Sequence, residues 1–126
     1  RCDIGIYPLW ADEWCHGKCG FKAIQFMSCG VPVIAAPVGV TRDIIDTGQN
    51  GVLASSAEEW ATALVRLISD SGLRRSLGQA GRQTIEQRYS LRAQAPVLTG
   101  ALHEATARAT ARGARRPSDR AAWSAK

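Results

Sequence analysis

One glycine-containing segment near the start of the chain holds the residue types best suited to bind a phosphorylated ligand. It reads Gly17-Lys18-Cys19-Gly20-Phe21-Lys22, and apolar residues at helical spacing follow it. Backbone N–H groups at the start of a helix, together with the positive end of the helix dipole, attract phosphate groups. Gly20 permits close approach of the backbone to a ligand, and lysines add positive charge. The segment therefore predicts a phosphate-binding turn; the alternative is that its glycines serve only the turn and its lysines are solvated.

The elements on either side of this turn indicate an α/β fold. An apolar run at residues 3–9 predicts a strand, and residues 10–16 are expected to form a loop. Residues 18–29 predict a helix that ends at Gly30. Residues 31–36 are almost all apolar, which is typical of a strand buried on both faces of a parallel sheet.

The rest of the chain continues the alternation of strands and helices. A short helix is expected at residues 42–46, and a small strand at residues 52–54. Ser56 and Glu59 have the spacing of a capping box, which predicts the start of a longer helix. The buried stripe of this helix is predicted to consist of Trp60, Leu64, Leu67 and Ile68. Together these elements predict an α/β protein with a doubly wound parallel sheet.

Two further helices and a basic tail are expected at the carboxyl end of the chain. The apolar spacing predicts one helix that runs to about Tyr89, and another at residues 91–112 that is interrupted near Pro96. From Ala101 onward there are six basic and two acidic residues, whereas the first hundred residues carry ten basic and nine acidic ones. The basicity therefore belongs to the tail, and its composition predicts disorder at residues 113–126.

This charge distribution narrows the partners that a formal charge of +5 suggests. A basic tail rich in alanine and arginine is usually a solvated end, so no nucleic-acid partner is expected. Attraction to an anionic membrane surface is the alternative role of the tail. No apolar run approaches the roughly 20 residues that a membrane span needs. The chain is expected to be cytoplasmic, and to lie at the inner face of the membrane if the tail binds there.

Four cysteines lie within the first thirty residues, and two of them belong to the run Cys15-His16-x-x-Cys19. A structural zinc site needs four ligands, usually as two spaced pairs, and no second pair follows. We therefore expect no metal site, and reduced thiols rather than a disulfide framework. Trp10 and Trp14 precede this run. They either stack on a ligand or cover the edge of the sheet.

Three glycine-containing runs occur in order along the chain, at residues 17–34, 39–45 and 48–53. They resemble the motifs E-G-F-G-x-x-x-x-E-A-M-A-x-G-x-P-V-I, G-G-x-x-E-x-I and G-x-N-G-x-L. These motifs are typical of retaining glycosyltransferases of the GT-B fold, in their C-terminal, donor-binding domain. The family that they resemble is called glycosyl transferases group 1 and is similar to glycosyltransferase family 4. The resemblance covers residues 2–89 and implies the trailing half of that domain, with a Rossmann-like parallel sheet and flanking helices.

The resemblance implies an enzyme that transfers a glycosyl group from a UDP- or GDP-linked sugar to an acceptor glycan or lipid-linked sugar. It implies retention at the anomeric carbon, without a metal ion or another cofactor. By the same resemblance, residues 1–90 form the nucleotide-sugar-binding domain and residues 91–112 a C-terminal helix. The chain begins on a strand and without an initiator methionine, so we expect a fragment that has no transferase activity by itself.

The resemblance assigns donor binding to the turn and to the helix that follows it. The residues are Gly17, Lys18, Cys19, Gly20, Phe21, Lys22 and Gln25. Gly17 and Gln25 stand where the family has two acidic residues, the second of which accepts hydrogen bonds from the ribose. Gln25 retains an acceptor in its carbonyl oxygen but lacks the charge. No catalytic residue is assigned, and a non-catalytic nucleotide-binding or interaction module derived from the same fold is the alternative interpretation.

Overall fold

The described part of the chain forms two compact units. The computed structural model describes residues 2–113, which divide into residues 2–90 and residues 91–113. The disorder predicted for the basic tail concerns residues outside the described part, apart from Gly113, which is the last residue of a helix.

Strands and helices alternate through the first unit, and a single helix makes up the second. The strands are β1 (Gly5–Tyr7), β2 (Val33–Ala35) and β3 (Val52–Leu53). The helices are α1 (Glu13–His16), α2 (Phe21–Ser28), α3 (Thr41–Ile44), α4 (Ala57–Ser69), α5 (Ser71–Arg88) and α6 (Leu91–Gly113).

The three strands form one parallel sheet in the order β1-β2-β3. Ile6 of β1 lies opposite Ile34 of β2, which in turn lies opposite Val52 of β3. β2 is therefore central, and all three of its residues are fully buried. The predicted α/β fold, with a parallel sheet and flanking helices, is confirmed.

Alternate residues of β2 belong to two different apolar clusters. Val33 and Ala35 pack in the first cluster, to which α2 contributes Met27. Ile34 packs in the second cluster, to which α4 contributes Leu67. Because side chains alternate along a strand, these clusters lie on opposite faces of the sheet. Helices cover both faces, which explains why this strand is apolar at every position.

Helix α5 contributes to both clusters and lies close to the end of α2. Its Leu77 packs in the second cluster and its Ile85 in the first. Gly30 follows the end of α2 with a φ of +70°, in agreement with the predicted helix stop. A Cβ atom on Gly78 of α5 would overlap the carbonyl oxygen of Gly30. Only a glycine at position 78 permits this approach of the two backbones.

Two predicted boundaries on the amino side of α2 are wrong. The expected loop at residues 10–16 contains α1, because Asp12 caps this short helix and its carboxylate accepts a hydrogen bond from the N–H of Cys15 at 2.6 Å. Helix α2 begins at Phe21 rather than at Lys18. The reason is Gly20, whose φ of +67° is left-handed and incompatible with a right-handed helix.

The predicted buried stripe of α4 is wrong at one position. Ile68 is 67% exposed, whereas Ala63 and Leu67 are buried and Trp60 packs against the second cluster. At 100° per residue, Ile68 is rotated beyond the face that these three residues define. The face toward the sheet therefore shifts to include Ala63.

Helix α6 runs from Leu91 to Gly113 through Pro96, so the predicted interruption does not occur. A proline inside a helix removes one N–H donor, here the one that would reach the carbonyl of residue 92. An ion pair of 3.1 Å between Glu104 and Arg108 spans one turn further along. Among residues 2–113, no helix has the length and apolar character needed to cross a membrane.

Candidate functional site

The polypeptide leaves the carboxyl end of β1, passes through α1 and reaches the predicted phosphate-binding turn. Carboxyl ends of parallel strands are the usual ligand-binding edge of such sheets. Cys15 of α1 is buried and packs with Ala36 and Val38, which follow β2. Hydrogen bonds from Cys15 lower the pKa of Asp12, because they stabilise the ionised carboxylate at the start of α1. Helix α1 thereby holds the chain next to the carboxyl end of β2.

Gly20 leads into α2 and leaves the N-terminus of this helix open. No side chain accepts a hydrogen bond from the first-turn N–H groups of α2. The first N–H groups of a helix have no acceptor within the helix, and this applies to Phe21 and Lys22. A Cβ atom on Gly20 would lie 2.7 Å from Cδ1 of Ile44, so α3 packs directly against the turn. The start of α2 therefore has donors and a helix dipole that an anion can use.

The two longest helices of the same unit have closed N-termini. At α4, Ser56 Oγ accepts from the N–H of Glu59 at 3.2 Å, and Glu59 Oε2 accepts from the N–H of Ser55 at 2.6 Å. The capping box predicted from the sequence is thus confirmed. At α5, Asp70 Oδ1 accepts from the N–H of Leu73 at 2.8 Å. Of α2, α4 and α5, only α2 lacks a side-chain cap.

Three polar side chains predicted to bind the donor lie in or just after this turn. Lys18 is half-buried in the turn, whereas Lys22 and Gln25 are exposed on α2. Lys22 and Gln25 share one helix face because they are three residues apart. Both line an open groove of about 660 Å³ beside β1, which Ile6 and Phe26 also line. The structure brings Lys22 and Gln25 together in this groove, and Lys18 is not one of its lining residues.

The other predicted donor-binding residues are Gly17, Cys19 and Phe21, and all three are exposed. Gly17 has a φ of −79°, and its N–H bonds to the carbonyl of Cys15. A Cβ atom on Gly17 would lie 3.6 Å from the carbonyl oxygen of Trp14, which is an ordinary contact. Position 17 can therefore hold a side chain, so neither backbone conformation nor space explains the absence of an acidic residue.

A second loop, which follows β2, touches the turn from another side. Gly39 has a φ of +55°, and a Cβ atom there would lie 2.7 Å from the carbonyl oxygen of His16. Thr41 is 1% exposed, and its hydroxyl accepts a hydrogen bond from the N–H of Val38 at 3.0 Å. Sequence reasoning missed Thr41 because a threonine at the start of a helix is common and carries no signal of a loop contact.

Trp10 and Trp14 are 83% and 79% exposed. Trp10 lines an open cavity of about 480 Å³ together with Pro8, Ala36 and Trp60. Pro8 and Ala36 each follow the carboxyl end of a strand, so this cavity lies at the same edge of the sheet as the turn. Both rings are exposed enough to stack on a ligand, and the choice between the two interpretations of these tryptophans stays a prediction.

Comparison with known structures defines the class of protein. A sucrose-phosphate synthase from Thermosynechococcus elongatus superposes with a TM-score of 0.74 at 26% identity, over 83% of this chain and 26% of that one. Anabaena HepE in complex with UDP-glucose superposes with a TM-score of 0.67 at 21% identity, over 82% of this chain and 28% of that one. The fold is that of the GT-B glycosyltransferases, as the three glycine-containing runs predict.

Sequence comparison then gives the family. Residues 1–70 match the family described as Glycosyl transferases group 1. The chain is 30% identical over 121 residues to the D-inositol 3-phosphate glycosyltransferase of Stackebrandtia nassauensis, an alignment that covers 94% of this chain. The chain therefore belongs to the glycosyl transferases group 1 family, and the predicted resemblance is confirmed. It spans 26% of the length of the Stackebrandtia relative.

Proposed function

We propose that this chain holds the diphosphate of a nucleotide-sugar donor at the N-terminus of α2, as part of the donor site of a glycosyltransferase. The observation that carries the proposal is that α2 starts at a glycine without a side-chain cap, whereas α4 and α5 both have capped starts. A diphosphate supplies the acceptors that these N–H groups lack. Family membership supports a nucleotide sugar as the ligand, since HepE was crystallised with UDP-glucose.

Each predicted donor-binding residue has a role in this proposal. The backbone around Cys19, Gly20 and Phe21 contributes the N–H groups of the turn. Lys18, in the donor turn, and Lys22, near the start of α2, neutralise phosphate charge. Gly17 leaves the approach to the turn free of a side chain. Gln25 accepts a hydrogen bond from a ribose hydroxyl through its amide oxygen.

The chemistry proposed for the complete enzyme is transfer of a glycosyl group to an acceptor hydroxyl with retention at the anomeric carbon. The nucleoside diphosphate departs as an anion, and the open N–H groups of α2 and the two lysines stabilise its charge without a metal ion. The acceptor is a glycan or a lipid-linked sugar. Because the chain spans 26% of the Stackebrandtia relative, we expect the 126-residue chain to bind the donor and to form no product.

The same proposal extends to organisation and location. Residues 1–90 form the donor-binding domain and residues 91–112 a separate C-terminal helix. The protein acts in the cytoplasm, and the basic residues after Ala101 contact the anionic inner face of the membrane. Sedimentation of the chain with vesicles that contain one-third phosphatidylglycerol, but not with neutral vesicles, is the expected result. Binding to neither kind of vesicle, or equal binding to both kinds, would contradict this membrane role.

A calorimetric titration tests the donor site. UDP and GDP are titrated into the full 126-residue chain, and again into the Gln25→Ala and Gln83→Ala variants. Gln83 is an exposed glutamine on α5 and serves as the matched control. We expect micromolar binding of one nucleotide (about −8 kcal/mol), weakened by Gln25→Ala and unchanged by Gln83→Ala. No binding to a chain shown to be folded by its cooperative thermal unfolding would contradict the proposal.

A second candidate function is a non-catalytic module that binds a nucleotide or a partner. The observation that favours it is the absence of a carboxylate at positions 17 and 25, although position 17 has room for one. The Gln25→Glu variant distinguishes the two functions in the complete protein that carries this chain. In an enzyme, the added carboxylate changes the KM for the donor. In a binding-only module, neither the parent nor the variant releases nucleoside diphosphate in the presence of donor and acceptor.

A further inference from the structure

We propose that the buried hydroxyl of Thr41 is a positioning group, which fixes residues 16–20 against the loop that follows β2. Its effect on donor affinity rests on the proposed function, whereas its effect on the turn itself does not. Thr41 lies more than twenty residues after the donor turn. In the run of residues 39–45 it occupies a position that the family motif leaves unspecified. The assignment comes from three sets of contacts, taken in order from the hydroxyl outward.

The first set ties the hydroxyl to the loop. Thr41 Oγ1 accepts a hydrogen bond from the N–H of Val38 at 3.0 Å. The same oxygen lies 2.7 Å from the carbonyl oxygen of Ala36 and 2.8 Å from that of Val38, and its hydrogen is donated to these acceptors. Thr41 is 1% exposed, so water cannot replace the hydroxyl if it is removed. One side chain therefore fixes the bend of residues 36–38.

The second set anchors that bend to the sheet. The N–H of Ala36 donates to the carbonyl of Tyr7, the last residue of β1, at 3.1 Å. The N–H of Val38 is also 2.8 Å from the carbonyl oxygen of Ala36. The bend is thus held by β1 at one end and by the Thr41 hydroxyl at the other. A loop held at both ends is a rigid support for a neighbouring binding segment.

The third set joins the bend to the donor turn. Gly39 lies against the backbone of His16, closely enough that a Cβ atom would be 2.7 Å from the His16 carbonyl oxygen. Val38 packs with Cys15 in one buried cluster. Both contacts meet the chain just before Gly17, the first of the predicted donor-binding residues. A shift of the bend must therefore be transmitted to the turn or open a gap beside it.

Helix α3 adds a contact at the far end of the turn. Thr41 is the first residue of α3, and Ile44 is its last. Cδ1 of Ile44 would be 2.7 Å from a Cβ atom on Gly20. The turn of residues 16–20 is consequently supported at His16 and at Gly20 by the segment that the Thr41 hydroxyl organises. Residues 17–19 lie between these two supports and are the ones exposed or half-buried.

Three variants of the full 126-residue chain test this role. Thr41→Val removes the hydroxyl and keeps the shape, and Thr41→Ser keeps the hydroxyl. Thr99→Val is the control, because Thr99 Oγ1 also donates to a backbone carbonyl, that of Ala95, at 2.8 Å, but on α6. Thermal unfolding first establishes a temperature at which the parent and all three variants are almost entirely folded. At that temperature, differences in exchange and affinity do not come from global unfolding.

Hydrogen exchange at individual backbone amides is the first readout, and it needs no ligand. The N–H of Lys18 bonds to the carbonyl of Cys15 at 3.2 Å and reports directly on the turn. We expect Thr41→Val to speed exchange of this amide relative to amides of α4, and Thr41→Ser to restore it. Thr99→Val is expected to leave the turn unchanged. Faster exchange spread evenly over the amides of residues 2–90, or unchanged exchange at Lys18, would overturn the positioning role.

Affinity for UDP is the second readout. We expect Thr41→Val to weaken binding about two- to tenfold, the equilibrium effect of a typical lost hydrogen bond. Thr41→Ser should bind as the parent does. If the parent binds neither UDP nor GDP, the proposed function fails while the exchange result still decides the role of Thr41. If the parent binds and Thr41→Val binds equally well, the positioning role is overturned and the donor site stands.

Discussion

The N-termini of α2 and α4 show two different uses of the same structural feature. Both helices follow a strand of the parallel sheet and start at its carboxyl edge. At α4, Ser56 Oγ accepts from the N–H of Glu59, and the Glu59 carboxylate accepts from the N–H groups of Ser55 and Ser56. At α2, Gly20 provides a left-handed entry and no acceptor. The start of α2 therefore lacks the side-chain acceptor that stabilises the start of α4.

The contrast between the two helix starts indicates where this fold binds an anionic ligand. A capped helix start contributes to stability and has fewer free N–H groups to offer an anion. An open start, preceded by Lys18 and followed by Lys22, can bind one. Variants at the two helices should therefore separate stability from binding.

Replacing Gly20 with alanine should have the largest effect. Alanine is strained at a φ of +67°, and its Cβ atom would press on Ile44, so we expect a loss of about 1–2 kcal/mol in the free energy of unfolding. UDP affinity should fall about tenfold, since the N–H groups of α2 move with the backbone. Gly48→Ala is the control, because Gly48 has a φ of +85° and nothing within 4 Å. Calorimetry and denaturant unfolding of both variants measure the two quantities.

The comparison would break if Gly48→Ala lost as much affinity as Gly20→Ala at equal stability. In that case general destabilisation, rather than the open start of α2, would explain the weaker binding.

Removing the cap of α4 should have the opposite signature. We expect Ser56→Ala to lower the free energy of unfolding by about 1 kcal/mol, because the N–H of Glu59 loses its acceptor. UDP binding, measured well below the melting temperature, should be unchanged. A drop in UDP affinity comparable to that of Gly20→Ala would show that the ligand meets α4, and would reverse the assignment of the two helices.

Neutralising Lys18 should weaken binding without affecting stability. A half-buried lysine next to the proposed diphosphate is expected to contribute about two- to fivefold in affinity, as do other partly solvated ion pairs. The salt dependence of UDP binding should also become shallower in Lys18→Ala. Arg82→Ala is the control, since Arg82 pairs with Glu86 at 2.8 Å on the exposed face of α5. Identical salt slopes for the parent and for Lys18→Ala would argue against contact with phosphate.

Acidification should act on α4 and leave α2 unaffected. Hydrogen bonds from the N–H groups of Ser55 and Ser56 lower the pKa of Glu59 below its ordinary value of 4.5. Because the folded-state pKa is the lower one, this stabilisation is complete above pH 4.5 and is lost as the pH falls through the folded-state value. Glu59→Gln should reduce the loss of melting temperature between pH 6 and pH 3, by a small amount because the carboxylate is exposed. An unchanged pH profile would contradict the capping role of the carboxylate.

Much of the fold follows from local patterns in the sequence. The apolar run around Val33 required a central, doubly covered strand, and the spacing of Ser56 and Glu59 fixed the start of α4. Both depend only on neighbours within a few residues. The start of α2 was predicted three residues early, because helical spacing of apolar residues does not reveal that Gly20 is left-handed.

The remaining features depend on contacts between distant segments. The approach of Gly39 to His16 joins loops that are more than twenty residues apart, and no local pattern encodes it. Asp12 was a readable signal for α1, since an aspartate ahead of Glu13 is typical of a helix start. The donor-binding residues themselves came from motif resemblance, and their roles stay predictions until a ligand is placed.

The most direct test of the open N-terminus is to follow the backbone amides of the chain by NMR while UDP is added. We expect the largest shifts at residues 18–23, around the start of α2. The amide signals of residues 56–59, at the capped start of α4, should not shift. Shifts concentrated at α4, or shifts that saturate without any change at residues 18–23, would contradict the assignment of the diphosphate to α2.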